Sequence, residues 1–175
     1  MGFSLLTVQM TPVPSIPGVP APALAVSMTA YNAVPGQTDD SPFTTASGAY
    51  SNPEIVAARS RDLADDLPFG TIIEITAPET DPNNTCGYDL VAPFIGYRVI
   101  EDTMHPKFTK RVDVLVPTSA TVTLANGKKM NAANVLGICD EVNIRVVGHV
   151  DLSHLPKTQA ELAALVNGKT SLAVK

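Results

Sequence analysis

The sequence predicts a mainly β domain, a small closed barrel of short strands with one or two helices. Three observations predict it. Six or more short apolar runs read as strands, several of them alternating with period two, Pro, Gly, Asn and Asp clusters separate those runs, and only one stretch near the C-terminus carries clear helical spacing. The chain has 175 residues and a mass of 18.4 kDa, about one domain and enough to bury its own core. Hydrophobic residues make up 45% and the mean hydropathy is +0.13, which fits a globular chain. No run approaches the roughly 18 apolar residues of a membrane span.

The elements follow in order. Val26 to Tyr31 alternates as a strand, and Asn32 to Ser41, with Pro35-Gly36 and Asp39-Asp40, breaks into a loop. Ile55 to Ala58 is a short apolar strand, and Arg59 to Leu67 is polar enough for a turn or one helical turn. Pro68-Phe69-Gly70 makes a tight turn into the period-two strand Thr71 to Thr76. A Pro-, Asp- and Asn-rich loop covers Ala77 to Asn84. Gly96 to Ile100 and Val112 to Val116 are strands on either side of a basic, turn-like loop. Thr121 to Leu124 enters a hairpin at Asn126-Gly127, the strongest hairpin signal in the chain. Asn131 to Leu136 reads as a short helix and Val142 to Val147 as a closing strand. Thr158 to Val166 reads as an amphipathic helix, capped by Thr158 with Glu161 three residues on and ended by Gly168.

Charge and composition exclude several classes of function. A net charge of −5 and a pI near 5.0 argue against a nucleic-acid binder, because the chain lacks the Lys and Arg concentration that phosphate binding requires. The first charged side chain is Asp39. Residues 1–25 hold Pro12, Pro14, Pro17, Pro20 and Pro22 among small apolar residues, which reads as an extended, polyproline-like arm, a linker or a strap for protein neighbours. Phe3 to Val8 is too short for a secretory core and lacks a preceding Lys or Arg, so no clear signal peptide is read. The domain limits are then 1–25 for the arm, 26–153 for the barrel and 154–175 for a helix-bearing tail. Cys86 and Cys139 are compatible with a disulfide in an oxidising compartment and equally with two free thiols. Asn83-Asn84-Thr85 fits a glycosylation acceptor pattern too common to carry weight.

The chemistry concentrates between Glu101 and Val116. Asp102 and Asp113 stand eleven positions apart, each at the end of or inside a β-branched run. Acids in strands that bury their neighbours are costly unless hydrogen-bonded or functional, and a sugar-cleaving or sugar-binding site accounts for the pair. Burial and the like charge of the other would raise the pKa of one member of such a pair toward neutrality, as a proton donor to a glycosidic oxygen requires. Hydroxyls of Thr29, Tyr31 and Thr103 are candidate substrate contacts, and Lys107 or Lys110 a candidate partner for a substrate carboxylate.

Thr29-Ala30-Tyr31, Thr38-Asp39, Ser41-Pro42-Phe43, Thr45-Ala46-Ser47-Gly48, Val56-Ala57-Ala58, Leu67 to Thr71, Glu101 to Phe108 and Arg111 to Val114 fall in one order along residues 26 to 150. In that order they resemble the 3D domain, a family named for three aspartates. The resemblance implies a six-stranded double-psi β-barrel related to the catalytic barrel of the membrane-bound lytic transglycosylase A group. It also implies a cell-wall role outside the cell, in the envelope or on a virion, with peptidoglycan or another glycan as partner and no cofactor or metal. Asp113 then matches the single acid and base, Asp102 its support and Asp62 the third aspartate, with Asp65 and Asp66 as nearby alternatives. One carboxyl would serve both steps, closing a 1,6-anhydro ring without water, unlike the two-carboxylate scheme of ordinary glycosidases. Where the transglycosylases carry a glycine-rich segment, this chain has Met104 to Thr109, a departure that changes the groove floor.

Other readings stand beside this one. Asp102 and Asp113 can be structural acceptors for backbone amides, Arg111 can pair with Asp102 or Glu101 at the surface, and His105 before Pro106 can be a plain loop residue. Cys86, His105, His149 and His154 lack metal-ligand spacing, and neither a phosphate loop nor a nucleophile elbow occurs. The alternative from another class is a non-catalytic glycan-binding or assembly barrel, held in a surface layer, appendage or virion by its N-terminal arm.

Overall fold

The computed structural model describes residues 23–36, 38, 41–77 and 86–172. Eight strands are present among them: β1 (Leu24–Tyr31), β2 (Val56–Arg59), β3 (Thr71–Thr76), β4 (Arg98–Thr103), β5 (Arg111–Leu115), β6 (Thr121–Thr123), β7 (Lys129–Asn131) and β8 (Cys139–His149). Three α-helices join them, α1 (Tyr88–Val91), α2 (Ala132–Leu136) and α3 (Gln159–Leu172). Six strands close a barrel in the order β1-β5-β2-β4-β3-β8, and β6 and β7 form a separate hairpin. The mainly β, closed six-strand architecture read from the sequence is therefore the one observed. Pairings β1–β5 and β2–β4 are parallel and the other four antiparallel.

Period two divides the apolar residues between two clusters. Val26, Met28, Ala57, Ile73, Ile75, Ile100, Val112, Val114, Val142 and Ile144 fill one. Their strand neighbours Tyr31, Val56, Ala58, Ile72, Val99 and Leu115 turn the other way and pack with Leu162 and Val166 of α3. The first cluster is the barrel interior; the second lies on its outer face beneath the C-terminal helix.

Local chemistry explains the connections. Thr71 N–H donates to the Pro68 carbonyl at 3.1 Å, closing the turn before β3. Gly70 has φ +87°, and a Cβ there would stand 2.5 Å from the Val150 carbonyl oxygen, so the turn requires glycine. Asn131 caps α2 by accepting from Ala133 N–H at 2.9 Å. Thr158 accepts from Glu161 N–H at 3.2 Å while Glu161 reaches back to Lys157 N–H at 2.7 Å, which starts α3.

Several boundaries differ from those the sequence suggests. β1 begins at Leu24, two residues inside the span assigned to the arm, because Leu24 and Ala25 pair with Ile144 and Asn143 of β8. β4 starts at Arg98, after Gly96 at φ +55°, and runs through Asp102 and Thr103. β8 extends over eleven residues. Helix α3 passes through Gly168 instead of ending there; an interior glycine costs about 1 kcal/mol, which the packing of Leu162 and Val166 offsets. Helix α1 and the 3-10 turn Ala92–Phe94 fill a stretch with no periodic signal. Cys86 and Cys139 are joined in a disulfide. The arm at residues 1–22, Asp39, Asp40 and the Asn83-Asn84-Thr85 site lie outside the described residues.

Candidate active site

Strand register assembles the site. Thr29 of β1 stands opposite Asp113 of β5, Asp113 opposite Ala58 of β2, and Ala58 opposite Asp102 of β4. Four neighbouring strands thus present Thr29, Asp113, Ala58 and Asp102 in one row on the outer face. At about 4.8 Å per strand, the two acids are roughly 10 Å apart along the backbone, with only a methyl group between them. The adjacent row, where Tyr31 pairs with Leu115 and Val56 with Val99, is apolar apart from the Tyr31 hydroxyl.

The acid row opens into a groove of about 540 Å³. Its walls include Tyr31, Ala58, Asp102, Thr103 and Asp113 from the barrel, Thr38, Ser41, Pro42, Thr44 and Ser51 from the segment between β1 and β2, and Arg61. Met104, His105, Pro106 and Phe108 add the β4–β5 loop. The mixture of hydroxyls, two carboxyls, a guanidinium and the rings of Tyr31, Phe108 and His105 suits a polar ligand rather than a lipid.

The two acids have different surroundings. Asp102 accepts from Thr103 N–H at 2.8 Å, from Ala46 N–H at 2.9 Å and from the Tyr31 hydroxyl at 3.3 Å. Among the described residues three donors hold it and no salt bridge reaches it. The Ala46 contact exists because the Thr45–Ala49 turn folds over β4, where Ser47 N–H donates to the Glu101 carbonyl at 3.0 Å. Asp113 receives one described bond, from the Thr29 hydroxyl at 2.8 Å. Burial pushes its pKa up to about 6; the Thr29 bond and Arg111 oppose the rise and Asp102 adds to it. Burial, followed by the fields of Asp102 and Asp113, also raises Tyr31, which keeps its proton as a hydrogen-bond donor.

The remaining predicted residues separate into those in the groove and those behind it. Tyr31 and Thr103 line it. Thr29 is half-buried and holds Asp113. Lys107 is exposed, with its ammonium 4.9 Å from the centre of the Phe108 ring, and Arg111 covers that ring at 5.0 Å. Arg111 is thus a stacking partner of Phe108, and its Nε is buried without a hydrogen-bond acceptor. Asp62 is exposed and does not reach the groove wall. Its carboxylate accepts from Lys110 N–H at 2.9 Å, where Lys110 has φ +47°, and the Ser60 hydroxyl and that amide hold its pKa below the usual range. Ser60 Oγ in turn accepts from Arg111 N–H at 3.1 Å. Together they clamp the corner by which the β4–β5 loop enters β5.

Two residues of consequence were not singled out by sequence reasoning. Arg61 lines the groove from the 3-10 turn after β2. Glu101 is fully buried with both carboxylate oxygens lacking a partner, and burial, then the charge of Asp102, pushes its pKa up to about 7. The β2–β4 register shifts between Ala57 and Ala58, which leaves Glu101 unmatched opposite β2. Among the described residues no group of three His, Cys, Asp or Glu could hold a metal ion, and no helix is long and apolar enough to cross a membrane. The chain matches no protein-family model and has no significant match among curated proteins.

Proposed function

We propose that the groove cleaves glycan strands of peptidoglycan by the lytic transglycosylase route, with Asp113 as the single acid and base, on a barrel of the double-psi, 3D-domain kind. The observation that carries this reading is the inequality of the two carboxyls. Among the described residues Asp102 is held by three donors, whereas Asp113 has one and sits near pKa 6 in a groove lined with hydroxyls. A carboxyl of that pKa still carries its proton in part of the molecules near neutral pH and is a competent acceptor once that proton has passed to the leaving oxygen.

In the first step the Asp113 proton passes to the glycosidic oxygen as its bond to C1 breaks. In the second, the 6-hydroxyl oxygen of the same sugar bonds to C1 and gives its proton to the Asp113 carboxylate. The acid is restored, no water is consumed, and the new end is a 1,6-anhydro sugar. Asp102, fixed by the Thr45–Ala49 turn and Tyr31, supports the developing positive charge at C1 from the same groove. Asp62 is a positioning residue that acts through the loop it clamps. The Cys86–Cys139 bond supports an envelope or extracellular setting, where disulfides persist.

The test is a digest of purified peptidoglycan with wild type and Asp113→Asn, read by mass spectrometry. Fragments one water lighter than hydrolysis products, from wild type alone, are the expected result. Intact glycan with both proteins would move the groove to a non-catalytic glycan-binding or assembly role.

A further inference from the structure

We infer that the groove selects glycans bearing carboxylate groups, and that Arg61 is the residue that holds them; the inference rests on the glycan reading above. The chain has five arginines. Four have evident structural partners. Arg59 donates Nε–H to the Leu67 carbonyl at 2.8 Å and lies over Phe69. Arg98 is fully buried and donates to the carbonyls of Phe94, Ile95, Pro53 and Leu115. Arg111 covers Phe108, and Arg145 pairs with Glu74. Arg61 alone has no side-chain hydrogen bond, ion pair or ring contact among the described residues, and it alone of the five lines the groove.

The acids nearest Arg61 in sequence are directed elsewhere. Asp62 receives the Lys110 amide, and Asp62 and Asp65 support the charge of Arg59. A neutral sugar chain offers the guanidinium hydroxyl acceptors but no opposite charge. An anionic ligand needs one, because the groove contains Asp102 and Asp113 and the chain carries a net charge of −5, both of which repel it. The planar fork of arginine matches a carboxylate with two parallel N–H bonds. Arg61 lines the same cavity as Asp102 and Asp113, within reach of a glycan that occupies it.

The experiment uses full-length Asp113→Asn, which leaves the ligand uncut, and measures binding calorimetrically. The probes are a peptide-free peptidoglycan oligosaccharide with free lactyl carboxylates and the same oligosaccharide with those groups converted to methylamides. The neutralised glycan is expected to bind about tenfold more weakly, the worth of one charge-assisted contact. Adding Arg61→Gln should bring the charged glycan down to the level of the neutral one, and Arg61→Lys should recover part of the difference. Equal affinity of both glycans for Asp113→Asn, or equal loss of both on adding Arg61→Gln, overturns the role of Arg61 while the glycan reading stands. Binding of neither glycan overturns both.

Discussion

The two sides of the barrel treat charge in opposite ways. On the β3–β8 side, Glu74 and Arg145 are register partners and form an exposed salt bridge. On the β1–β5–β2–β4 side, Asp113 and Asp102 face the groove with no described salt bridge to a cation, and Glu101 lies buried beside them with neither carboxylate oxygen hydrogen-bonded. Charge neutralised in water does little beyond maintaining solubility. Charge left unneutralised at a half-buried surface raises a pKa and waits for a ligand. The difference implies that substitutions on the groove side change chemistry and pH dependence, while those on the opposite side change stability or nothing measurable.

The largest effect expected from that comparison is on catalysis. Asp113→Asn should lower cleavage by at least about 10³-fold, the upper range for loss of a general acid and base, with the circular dichroism spectrum retained. The wild-type rate should be highest below about pH 6 and fall as pH rises through that value, because the cycle starts from protonated Asp113 and itself generates the carboxylate that takes the proton back. A profile flat between pH 5 and 8 would end the assignment of Asp113.

The disulfide tests the β8 side. Cys86 and Cys139 are separated by 53 residues, and closing a loop of that length stabilises by about 4 kcal/mol in the chain-entropy model. Paired Cys86→Ser and Cys139→Ser replacements should lower the urea midpoint accordingly, and at temperatures where the variant remains folded the pH profile of cleavage should not move. A shift in that profile would show that the two sides are not independent.

Glu101 provides the sharper test on the groove side. Its folded pKa of about 7 lies above the ordinary 4.5, so folding favours its proton. The stability it contributes is fully present below pH 4.5 and is lost as pH rises through 7, by up to about 3 kcal/mol. Asp113 acts with the same sign through about 6, so the clean comparison is Asp113→Asn against Asp113→Asn with Glu101→Gln. In urea unfolding at pH 5 and pH 9, the single variant should lose stability between the two and the double variant should lose much less. Equal slopes would mean that Glu101 finds a partner when ionised.

How much of this was legible beforehand follows from which signals are local. Alternation marked the barrel strands, Asn126-Gly127 the hairpin and Pro68-Phe69-Gly70 the turn before β3, since each depends on a few adjacent residues. Asp102 and Asp113 were legible as acids in apolar strands. Their alignment across Ala58 was not, because it exists only once β5 inserts between β1 and β2. Glu101 was hidden by a register shift, a property of two strands together. Lys107 was a reasonable candidate cation by spacing, yet its ammonium lies over Phe108 at the exposed end of a loop. The groove's arginine, Arg61, is on a 3-10 turn whose rotation no periodicity announces. The disulfide required knowing that the segment before α1 meets the start of β8.

The smallest effect belongs to the pair with which the comparison began. Glu74 and Arg145 are bonded through Arg145 Nε–H to Glu74 Oε2 at 2.9 Å and through a second donor, and both side chains are partly exposed to water. Desolvation is slight there, screening is strong, and ordering two long side chains offsets much of the attraction, so the pair is worth between 0 and about 1 kcal/mol. A double-mutant cycle of Glu74→Gln and Arg145→Gln should return a coupling in that range, smaller at 1 M salt, with cleavage unchanged. A coupling above about 2 kcal/mol that persists in salt would make the β3–β8 side an electrostatic anchor of the barrel, and the contrast with the groove would then lie in how each side uses charge rather than in whether it does.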